Sequence, residues 1–405
     1  MLRRAGALII AVVTFMPLLG GTAAAYDPTY DPGQGPSFNQ PQPKGNADVY
    51  QIARHIVAAI RNVPGYVAPE PGVEGPARPE IRIATYSHDL QQVTDELISA
   101  YRRDVSVQMV LNDNWTSDQT RQLMRVLGRD RSAPSFVHVC DGACRGAGTV
   151  SNQHAKMYLF SETGAARNVV MTGSANTTEY AAKVHWNDLF TVKDAPNLYD
   201  VYHKVFEQMK VDDGSPNGYL PYEADGYDGY FFPKYGFTKA DDPVLDRLNK
   251  VNCDAPGGGI NGHTAIRVAM YAWSGDRGLW IAEKMAQLQR RGCKIRALVS
   301  NQGRVVLREL KSAGITVRSG SLNLNGRLND GFENSGFEVF VHEKWMALNG
   351  TFDGSLGRHV WTGSDNWSDL SNNNDEATIH VRGAGYYNRY MDNYGLIWSS
   401  WSRPL

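Results

Sequence analysis

The sequence contains one set of four polar residues twice, in the same order and at nearly the same spacing. The first copy lies in QHAKMYLFSETGAARNVVMTGSAN at 153–176, and the second lies in VHEKWMALNGTFDGSLGRHVWTGSDNW at 341–367. The matched pairs are His154 and His342, Lys156 and Lys344, Ser174 and Ser364, and Asn176 and Asn366. The separation within a pair is identical for the histidines and the lysines, and only slightly longer for the serines and the asparagines. A chain with such a repeat is expected to fold as two similar halves.

The predicted secondary structure repeats with a similar period. IRIATYS at 81–87 and IRVAMYA at 266–272 both read as strands, and each is followed by an amphipathic helix and a further strand. Strands that alternate with helices indicate α/β lobes whose sheets are covered by helices. We therefore predict two α/β lobes, at 47–225 and 228–405, each a mixed β-sheet flanked by helices. A pseudo-twofold axis would relate them and give them one shared cleft.

The repeated residues are suited to binding a phosphate group. Residues two apart on a strand point to the same face, so each histidine shares a face with the lysine that follows it. The GS-x-N turns add hydroxyl, amide and backbone N–H donors, which suit phosphate oxygens. Asp188 follows His154 at the same sequence spacing at which Glu376 follows His342. A carboxylate on an imidazole N–H fixes the tautomer of the ring, so we predict that these two residues orient the histidines.

The motifs HAK…GSAN and HEK…GSDN resemble the duplicated HxK…GSxN signature of the phospholipase D superfamily, and the resemblance spans both lobes. It implies that one histidine attacks phosphorus to give a phosphohistidine, and that the other protonates the leaving alcohol and then activates the incoming water or alcohol. His154 matches the nucleophile and His342 the acid/base. The resemblance implies no cofactor and no metal for this chemistry.

The other site residues receive supporting roles from the same resemblance. The lysines Lys156 and Lys344 and the amides of Asn176 and Asn366 would hold the non-bridging oxygens, with Ser174 and Ser364 assisting. Trp186 and Trp367 are predicted to line the cleft and contact substrate. The sequence departs from the family pattern where an aspartate usually follows the lysine by five residues, since Ser161 and Asn349 stand there. The chain is therefore expected to belong to a divergent branch.

The N-terminus reads as an export signal. MLRR is followed by a short apolar run and by small residues at Ala23 and Ala25, a pattern typical of a secretory signal peptide over 1–25. A membrane anchor is the alternative interpretation. Residues 26–46 are rich in Pro, Gly, Gln and Asn and are predicted to be a flexible leader. The sequence thus predicts a secreted, extracellular protein.

Four cysteines are consistent with that compartment. Outside the cell an even number of cysteines suggests disulfides, and we favour Cys140–Cys144 and Cys253–Cys293 among the three pairings that four cysteines allow. Zinc is the competing hypothesis. It is disfavoured because no second close Cys or His pair completes a four-ligand set around CDGAC at 140–144.

The net charge of the chain helps to choose among the possible functions. The formal net charge is −1, which gives no broad basic field for nucleic acid. The favoured function is a secreted phosphodiesterase of the phospholipase D type, a monomer acting on phospholipid at a membrane or micelle surface. A secreted nuclease that uses the same two histidines is the first alternative. A non-catalytic phosphoanion-binding protein is the second.

Overall fold

The computed structural model describes residues 26–41, 47–70, 72–146, 150–214, 218–236, 238–323 and 338–405. The predicted signal peptide at 1–25 and residues 42–46 of the predicted leader lie outside this part of the chain. The nine α-helices of the described residues are α1 (Gln51–Arg61), α2 (Gln91–Arg102), α3 (Asp118–Leu127), α4 (Glu179–Val184), α5 (Pro196–Val211), α6 (Pro243–Asn249), α7 (Gly275–Arg290), α8 (Arg304–Ser312) and α9 (Ala384–Ser400).

Twenty strands complete the secondary structure of the same residues. They are β1 (Gly35–Phe38), β2 (Glu80–Thr85), β3 (Ser106–Asn112), β4 (Phe136–Cys140), β5 (Met157–Thr163), β6 (Ala166–Gly173), β7 (His185–Trp186), β8 (Asp188–Val192), β9 (Leu220–Ala224), β10 (Tyr227–Phe232), β11 (Val251–Asn252), β12 (Ala265–Trp273), β13 (Lys294–Gln302), β14 (Thr316–Ser319), β15 (Leu322–Asn323), β16 (Glu338–Val341), β17 (Lys344–Phe352), β18 (Ser355–Gly363), β19 (Glu376–Arg382) and β20 (Arg403–Pro404).

Two mixed sheets of the same design form the two lobes. The first has the order β1-β8-β6-β5-β2-β3-β4, and the second contains β14-β13-β12-β17-β18-β19-β10 in its centre. In each sheet three neighbouring strands are parallel and the others are antiparallel. The parallel strand β3 is buried at every residue, because helices cover both faces of the sheet. The prediction of two α/β lobes with mixed sheets flanked by helices is confirmed.

The leader contributes a strand to the first sheet. Strand β1 pairs antiparallel with β8, in the place where β10 pairs with β19 in the second sheet. The prediction of a flexible leader is therefore wrong for this part of the chain. Its Pro- and Gly-rich composition suggested flexibility, but an edge strand needs partners on one side only and tolerates such residues. The hairpin of β9 and β10 also crosses the predicted lobe boundary, since both strands belong to the second sheet.

The lobes are joined by a shared core and a shared small sheet. One apolar cluster contains residues of both sheets together with α5 and α9, while two further clusters pack α1–α3 and α6–α8 on the outer faces. Strand β7 of the first lobe pairs in parallel with β16 of the second, with His185 opposite Phe340 and Trp186 opposite Val341. This pairing brings the segment before Asp188 beside His342. Among the described residues, no helix is both long and apolar enough to cross a membrane.

Candidate active site

Each motif histidine lies immediately before the central antiparallel strand of its own sheet and is anchored by the other lobe. The backbone N–H of His154 donates to the carbonyl of Asp375 at 3.1 Å. The backbone N–H of His342 donates to the carbonyl of Trp186 at 2.9 Å. The two histidines are therefore positioned at the lobe interface by equivalent contacts.

His154 has a carboxylate partner. Its Nδ1 lies 2.9 Å from both carboxylate oxygens of Glu376, a residue of the other lobe. Because a carboxylate can only accept, Nδ1 carries the proton and Nε2 carries the lone pair. Burial lowers the pKa of His154 to about 4, an effect that Glu376 partly offsets. The ring is therefore neutral near pH 7, which is the form that a nucleophile requires.

His342 has an amide partner instead. Its Nδ1 lies 2.9 Å from Oδ1 of Asn187. The amide is held in this orientation because its Nδ2 donates to the carbonyl of Ala181 at 3.1 Å. The Nδ1 proton is thus fixed as in His154, but no negative charge lies on the ring. Burial, Lys344 and His185 hold the pKa of His342 well below its usual range.

The equal sequence spacing of the two carboxylates from their histidines does not make them structural equivalents. Ser174 receives the backbone N–H of Asp188, whereas Ser364 receives the backbone N–H of Ala377. Phe38 of β1 lies opposite Asp188, whereas Phe231 of β10 lies opposite Ala377. Asp188 therefore corresponds to Ala377, and Glu376 corresponds to Asn187.

The expected role of Asp188 needs correction for this reason. Its carboxylate accepts hydrogen bonds from Ser174 at 2.8 Å, Tyr390 at 2.9 Å and Thr362. None of these donors is a histidine. The register differs because helix α4 and β7 link the GS-x-N turn to β8 in the first lobe, whereas a 3-10 helix over Leu370–Asn372 makes the link in the second.

The two lysines lie beside the histidines and are buried. Each Nζ donates to the carbonyl of the histidine two residues earlier, Lys156 to His154 and Lys344 to His342. Burial lowers the pKa of Lys156 to about 7, and burial together with the charge of Lys156 holds the pKa of Lys344 well below its usual range. Two buried ammonium groups repel each other, so an arriving anion would stabilise both.

A pair of tyrosines repeats beside the lysines. The Nζ of Lys156 lies 5.7 Å from the ring centroid of Tyr86, and the Nζ of Lys344 lies 5.1 Å from that of Tyr271. The same rings contact the histidines, with centroids 5.6 Å apart for Tyr86 and His154 and 4.7 Å apart for Tyr271 and His342. Tyr86 directly follows β2, and Tyr271 lies two residues before the end of β12, the strand that repeats β2. They form matching walls on the two sides of the site.

The serines and asparagines of the GS-x-N turns have different environments. The hydroxyls of Ser174 and Ser364 are fully buried; that of Ser174 donates to Asp188 and that of Ser364 donates to Glu376. The prediction that these serines contact substrate is therefore corrected, because they support carboxylates instead. Asn366 Oδ1 accepts from the backbone N–H of Ala272 at 3.2 Å. Asn176 Oδ1 is buried and has no hydrogen-bond partner among the described residues.

The two tryptophans are also buried, which corrects the expectation of substrate contact. Trp186 is 0% exposed and Trp367 is 3% exposed, and Trp367 packs edge-on against Trp273 with ring centroids 4.6 Å apart. The ring nearest to His342 in this segment belongs to His185, with a centroid distance of 4.7 Å. The repeated motifs do not include Asn187, so they predict no role for it. The available signal was its position in HWND at 185–188, directly before the predicted carboxylate.

The comparisons with known proteins agree with this architecture. Residues 75–210 match the family described as "Cardiolipin synthase, PLD-like domain". The fold is similar to that of phosphatidylserine synthase from Haemophilus influenzae, with 10% identity, a TM-score of 0.56, and coverage of 94% of this chain and 88% of that chain. Residues 75–210 therefore match a phospholipase D-like domain, and the fold of the whole chain is similar to that of this synthase.

A second solved structure has the same fold in a longer protein. Polyphosphate kinase from Porphyromonas gingivalis superposes on 90% of this chain with 14% identity and a TM-score of 0.54. This chain spans 50% of the length of that kinase. No curated protein matches the sequence.

Two positions where this phospholipase D-like chain departs from the family signature are part of the scaffold. Ser161 Oγ accepts the backbone N–H of Glu80 at 2.9 Å, at the start of β2. Asn349 lies on β17 opposite Ala265 of β12 and Arg358 of β18. Both positions lie on the strand that follows the histidine, away from the imidazoles. Neither substitution removes a group from the cluster of histidines and lysines described above.

Both predicted disulfides are formed, Cys140–Cys144 and Cys253–Cys293. The first closes a turn whose backbone contacts the site, because the N–H of Cys144 donates to the carboxylate of Asp375 at 2.7 Å. One group among the described residues, His138, Cys140 and Asp212, has ligand atoms close enough for a metal ion. The sulfur of Cys140 is part of a disulfide, however, and His138 is hydrogen bonded to Asp212 at 2.8 Å.

Proposed function

We propose that the protein is a phosphodiesterase of the phospholipase D type, which cleaves the phosphate–headgroup ester of phospholipids through a phosphohistidine at His154. The observation that carries the proposal is the unequal pair of histidine partners. The Nδ1–H group of His154 donates to the negatively charged carboxylate of Glu376, whereas that of His342 donates to the neutral amide oxygen of Asn187. A carboxylate stabilises the positive charge that an attacking imidazole acquires, whereas a neutral partner leaves His342 the stronger acid of the two.

The first step forms the phosphohistidine. Nε2 of His154 uses its lone pair to form the bond to phosphorus, and the bond from phosphorus to the headgroup oxygen breaks. The proton for that oxygen comes from Nε2–H of the protonated His342, so the headgroup leaves as a neutral alcohol. Bound phosphate carries a negative charge and raises the pKa of His342 from its value in the empty site, which favours the protonated ring.

The second step releases the phosphatidyl group. His342, now neutral, removes a proton from water, and the water oxygen forms a bond to phosphorus as the bond to Nε2 of His154 breaks. An alcohol in place of water gives transfer rather than hydrolysis. In both steps the transition state has additional charge on the non-bridging oxygens. Lys156 and Lys344 are the cations positioned to stabilise it, and loss of one such group costs about 10²- to 10³-fold in rate.

Phospholipid is proposed as the substrate because rings surround the acid/base histidine. His185, Phe340 and Tyr271 lie against or near His342, and Tyr180 packs beside His185 with 45% of its surface exposed. Exposed tyrosines are favoured at a membrane–water boundary. We further propose that the protein is a monomer that acts on phospholipid surfaces outside the cell. Its two disulfides are typical of oxidising compartments.

The test is headgroup release from phospholipid micelles and liposomes, with plasmid nicking measured in parallel. Wild type is expected to release headgroup, and His154→Ala and His342→Ala are expected to lose that activity. His203→Ala is the matched control, because His203 lies on α5 and packs beside Tyr199. Nicking without headgroup release would replace phospholipid by nucleic acid as the substrate. Turnover of neither substrate would overturn the proposed function.

A further inference from the structure

We infer that Asn39, in the segment that follows strand β1, is a positioning residue for His342 and acts through Asn187. The inference rests on the proposed function, in which His342 is the acid/base. It gives the leader segment a part in catalysis that its composition did not suggest. The inference depends on a continuous path of hydrogen bonds from Asn39 to the imidazole.

The path begins with the side chain of Asn39. Its Oδ1 accepts the backbone N–H of Asn187 at 2.7 Å, and its backbone N–H donates to the carbonyl of Asn187 at 3.3 Å. Its Nδ2 donates to the carbonyls of Ala181 and Ala182 at 3.0 and 3.1 Å. Asn39 is 2% exposed. One buried amide therefore contacts the backbone of Asn187 and the backbone of α4 at the same time.

Asn187 passes this constraint to the imidazole. Its Nδ2 donates to the carbonyl of Ala181, which is the same carbonyl that Asn39 holds. Its Oδ1 is then directed to Nδ1 of His342 at 2.9 Å. An amide can rotate to present either N or O, and only O accepts the Nδ1 proton. Because Asn39 fixes both the main chain of Asn187 and its anchor, it helps to set the tautomer of His342.

The equivalent position in the other lobe lacks this arrangement. Phe38 and Phe231 are counterparts, since they lie opposite the equivalent residues Asp188 and Ala377. The residue after Phe38 is Asn39, and the residue after Phe231 is Phe232, which has no side-chain hydrogen-bonding group. The amide of Asn39 therefore has no counterpart at this position. In the second lobe the histidine partner is contacted from another segment, where buried Asn374 donates through Nδ2 to Glu376 Oε1 at 3.2 Å.

Strand β1 is held in place by the second lobe as well as by β8. Gln34 Nε2 donates to the hydroxyls of Tyr386 and Tyr227 at 2.7 and 2.8 Å, and the guanidinium of Arg389 donates to the carbonyl of Pro36. The ring of Phe38 packs edge-on against Tyr390 with centroids 5.1 Å apart. These contacts come from other residues of the segment, so the strand can remain docked when only the amide of Asn39 is removed.

The experiment compares Asn39→Ala with Gln34→Ala, which removes a contact of the same segment without touching Asn187. Two properties are measured in each full-length variant. One is the tautomer of His342, from the ¹⁵N shifts of labelled imidazoles assigned by comparison with His342→Gln. The other is kcat and KM for headgroup release as a function of pH. The tautomer does not depend on any substrate, so it tests the inference even if wild type cleaves no phospholipid.

Asn39→Ala is expected to give a mixture of His342 tautomers. It is also expected to lower kcat by about 10- to 100-fold and to change KM by less than about threefold, because misplacing a reacting group affects chemistry more than binding. Gln34→Ala is expected to match wild type in both measurements. A folded Asn39→Ala with an unchanged tautomer and unchanged kcat would overturn the inference. If Asn39→Ala does not fold, Asn39→Asp decides by the same criteria, because it keeps the acceptor for Asn187 N–H but loses both donors.

Discussion

Nδ1 of His342 lies 2.9 Å from Oδ1 of Asn187. The equivalent nitrogen of His154 lies 2.9 Å from both oxygens of Glu376. Two halves that repeat their histidines, lysines and serines therefore differ in the group that lies next to the ring. A carboxylate favours the protonated or phosphorylated form of an imidazole, and an amide does so less. On this ground we propose opposite roles for the two histidines, His154 as nucleophile and His342 as acid/base.

Replacement of Asn187 by alanine tests the amide. Without Oδ1 the Nδ1 proton of His342 loses its acceptor, and the ring can adopt the wrong tautomer. We expect kcat for headgroup release to fall by about 10- to 100-fold, with a smaller change in KM. Asn197→Ala is the matched control, because Asn197 Nδ2 donates to Asp225 at an exposed position on α5. Equal kcat values in the two variants would show that Asn187 does not orient His342.

Glu376→Gln tests the charge on the nucleophile. Glutamine can still accept the Nδ1 proton of His154, so the geometry can persist, but the negative charge that stabilises a positive ring is lost. We expect kcat to fall by about 10²- to 10⁴-fold. Rapid-quench measurement should place the loss in formation of the phosphoenzyme. Glu162→Gln is the control, since Glu162 pairs with Arg167 on the neighbouring strand. A comparable loss of kcat in Glu162→Gln would show that Glu376 has no special role.

The pH dependence of kcat/KM follows from two shifted groups. Burial lowers the pKa of His154 to about 4, so the neutral nucleophile is present above that pH. Burial lowers the pKa of Lys156 to about 7, so the charged form that binds phosphate is present below that pH. We expect kcat/KM to be largest between these values and to fall on both sides.

The fall in kcat/KM at alkaline pH can be tested separately. Bound phosphate stabilises the charged lysine, so the alkaline limb of kcat should lie at higher pH than that of kcat/KM. Lys156→Arg should remove the contribution of this group to the limb, because arginine stays protonated. If kcat/KM is constant from about pH 5 to about pH 9 in wild type, the two groups do not titrate as the structure indicates.

The two disulfides should differ in their effect on stability. Cys253–Cys293 joins residues 40 apart and Cys140–Cys144 joins residues 4 apart. Chain entropy predicts losses of about 4 and about 2 kcal/mol in the free energy of unfolding when each bridge is replaced by two alanines. Urea unfolding of the two double variants measures both values. The short bridge should affect activity more, because Cys144 N–H holds Asp375 next to Glu376.

The sequence predicts the two lobes and the histidine–lysine pairs because both follow from the repeat. Counting along the chain could not identify the partner of His342. Asp188 and Glu376 lie at the same sequence spacing from their histidines, but the links that precede them differ in shape, and the register on the sheet changes by one position. Only the three-dimensional pairing of Asp188 with Phe38 and of Ala377 with Phe231 reveals this.

The roles of the leader and the buried side chains also depended on tertiary contacts. Residues 35–38 have no apolar alternation that would predict a strand, and they become one because the edge of β8 is available. Trp186 and Trp367 lie close to the motifs in sequence, and their aromatic character is compatible with either a cleft wall or the core. Packing at the lobe interface and against Trp273 buries them.

The most direct test of the account is acid-free trapping of the phosphoenzyme with a short-chain phospholipid, followed by peptide mass spectrometry. We expect phosphate-linked mass on the peptide that contains His154, with none on the peptide that contains His342. The adduct should accumulate in His342→Ala when the substrate has a leaving group that needs no proton, since breakdown requires His342 as base. An adduct on His342 instead, or turnover of phospholipid by His154→Ala at the wild-type rate, would contradict the assignment.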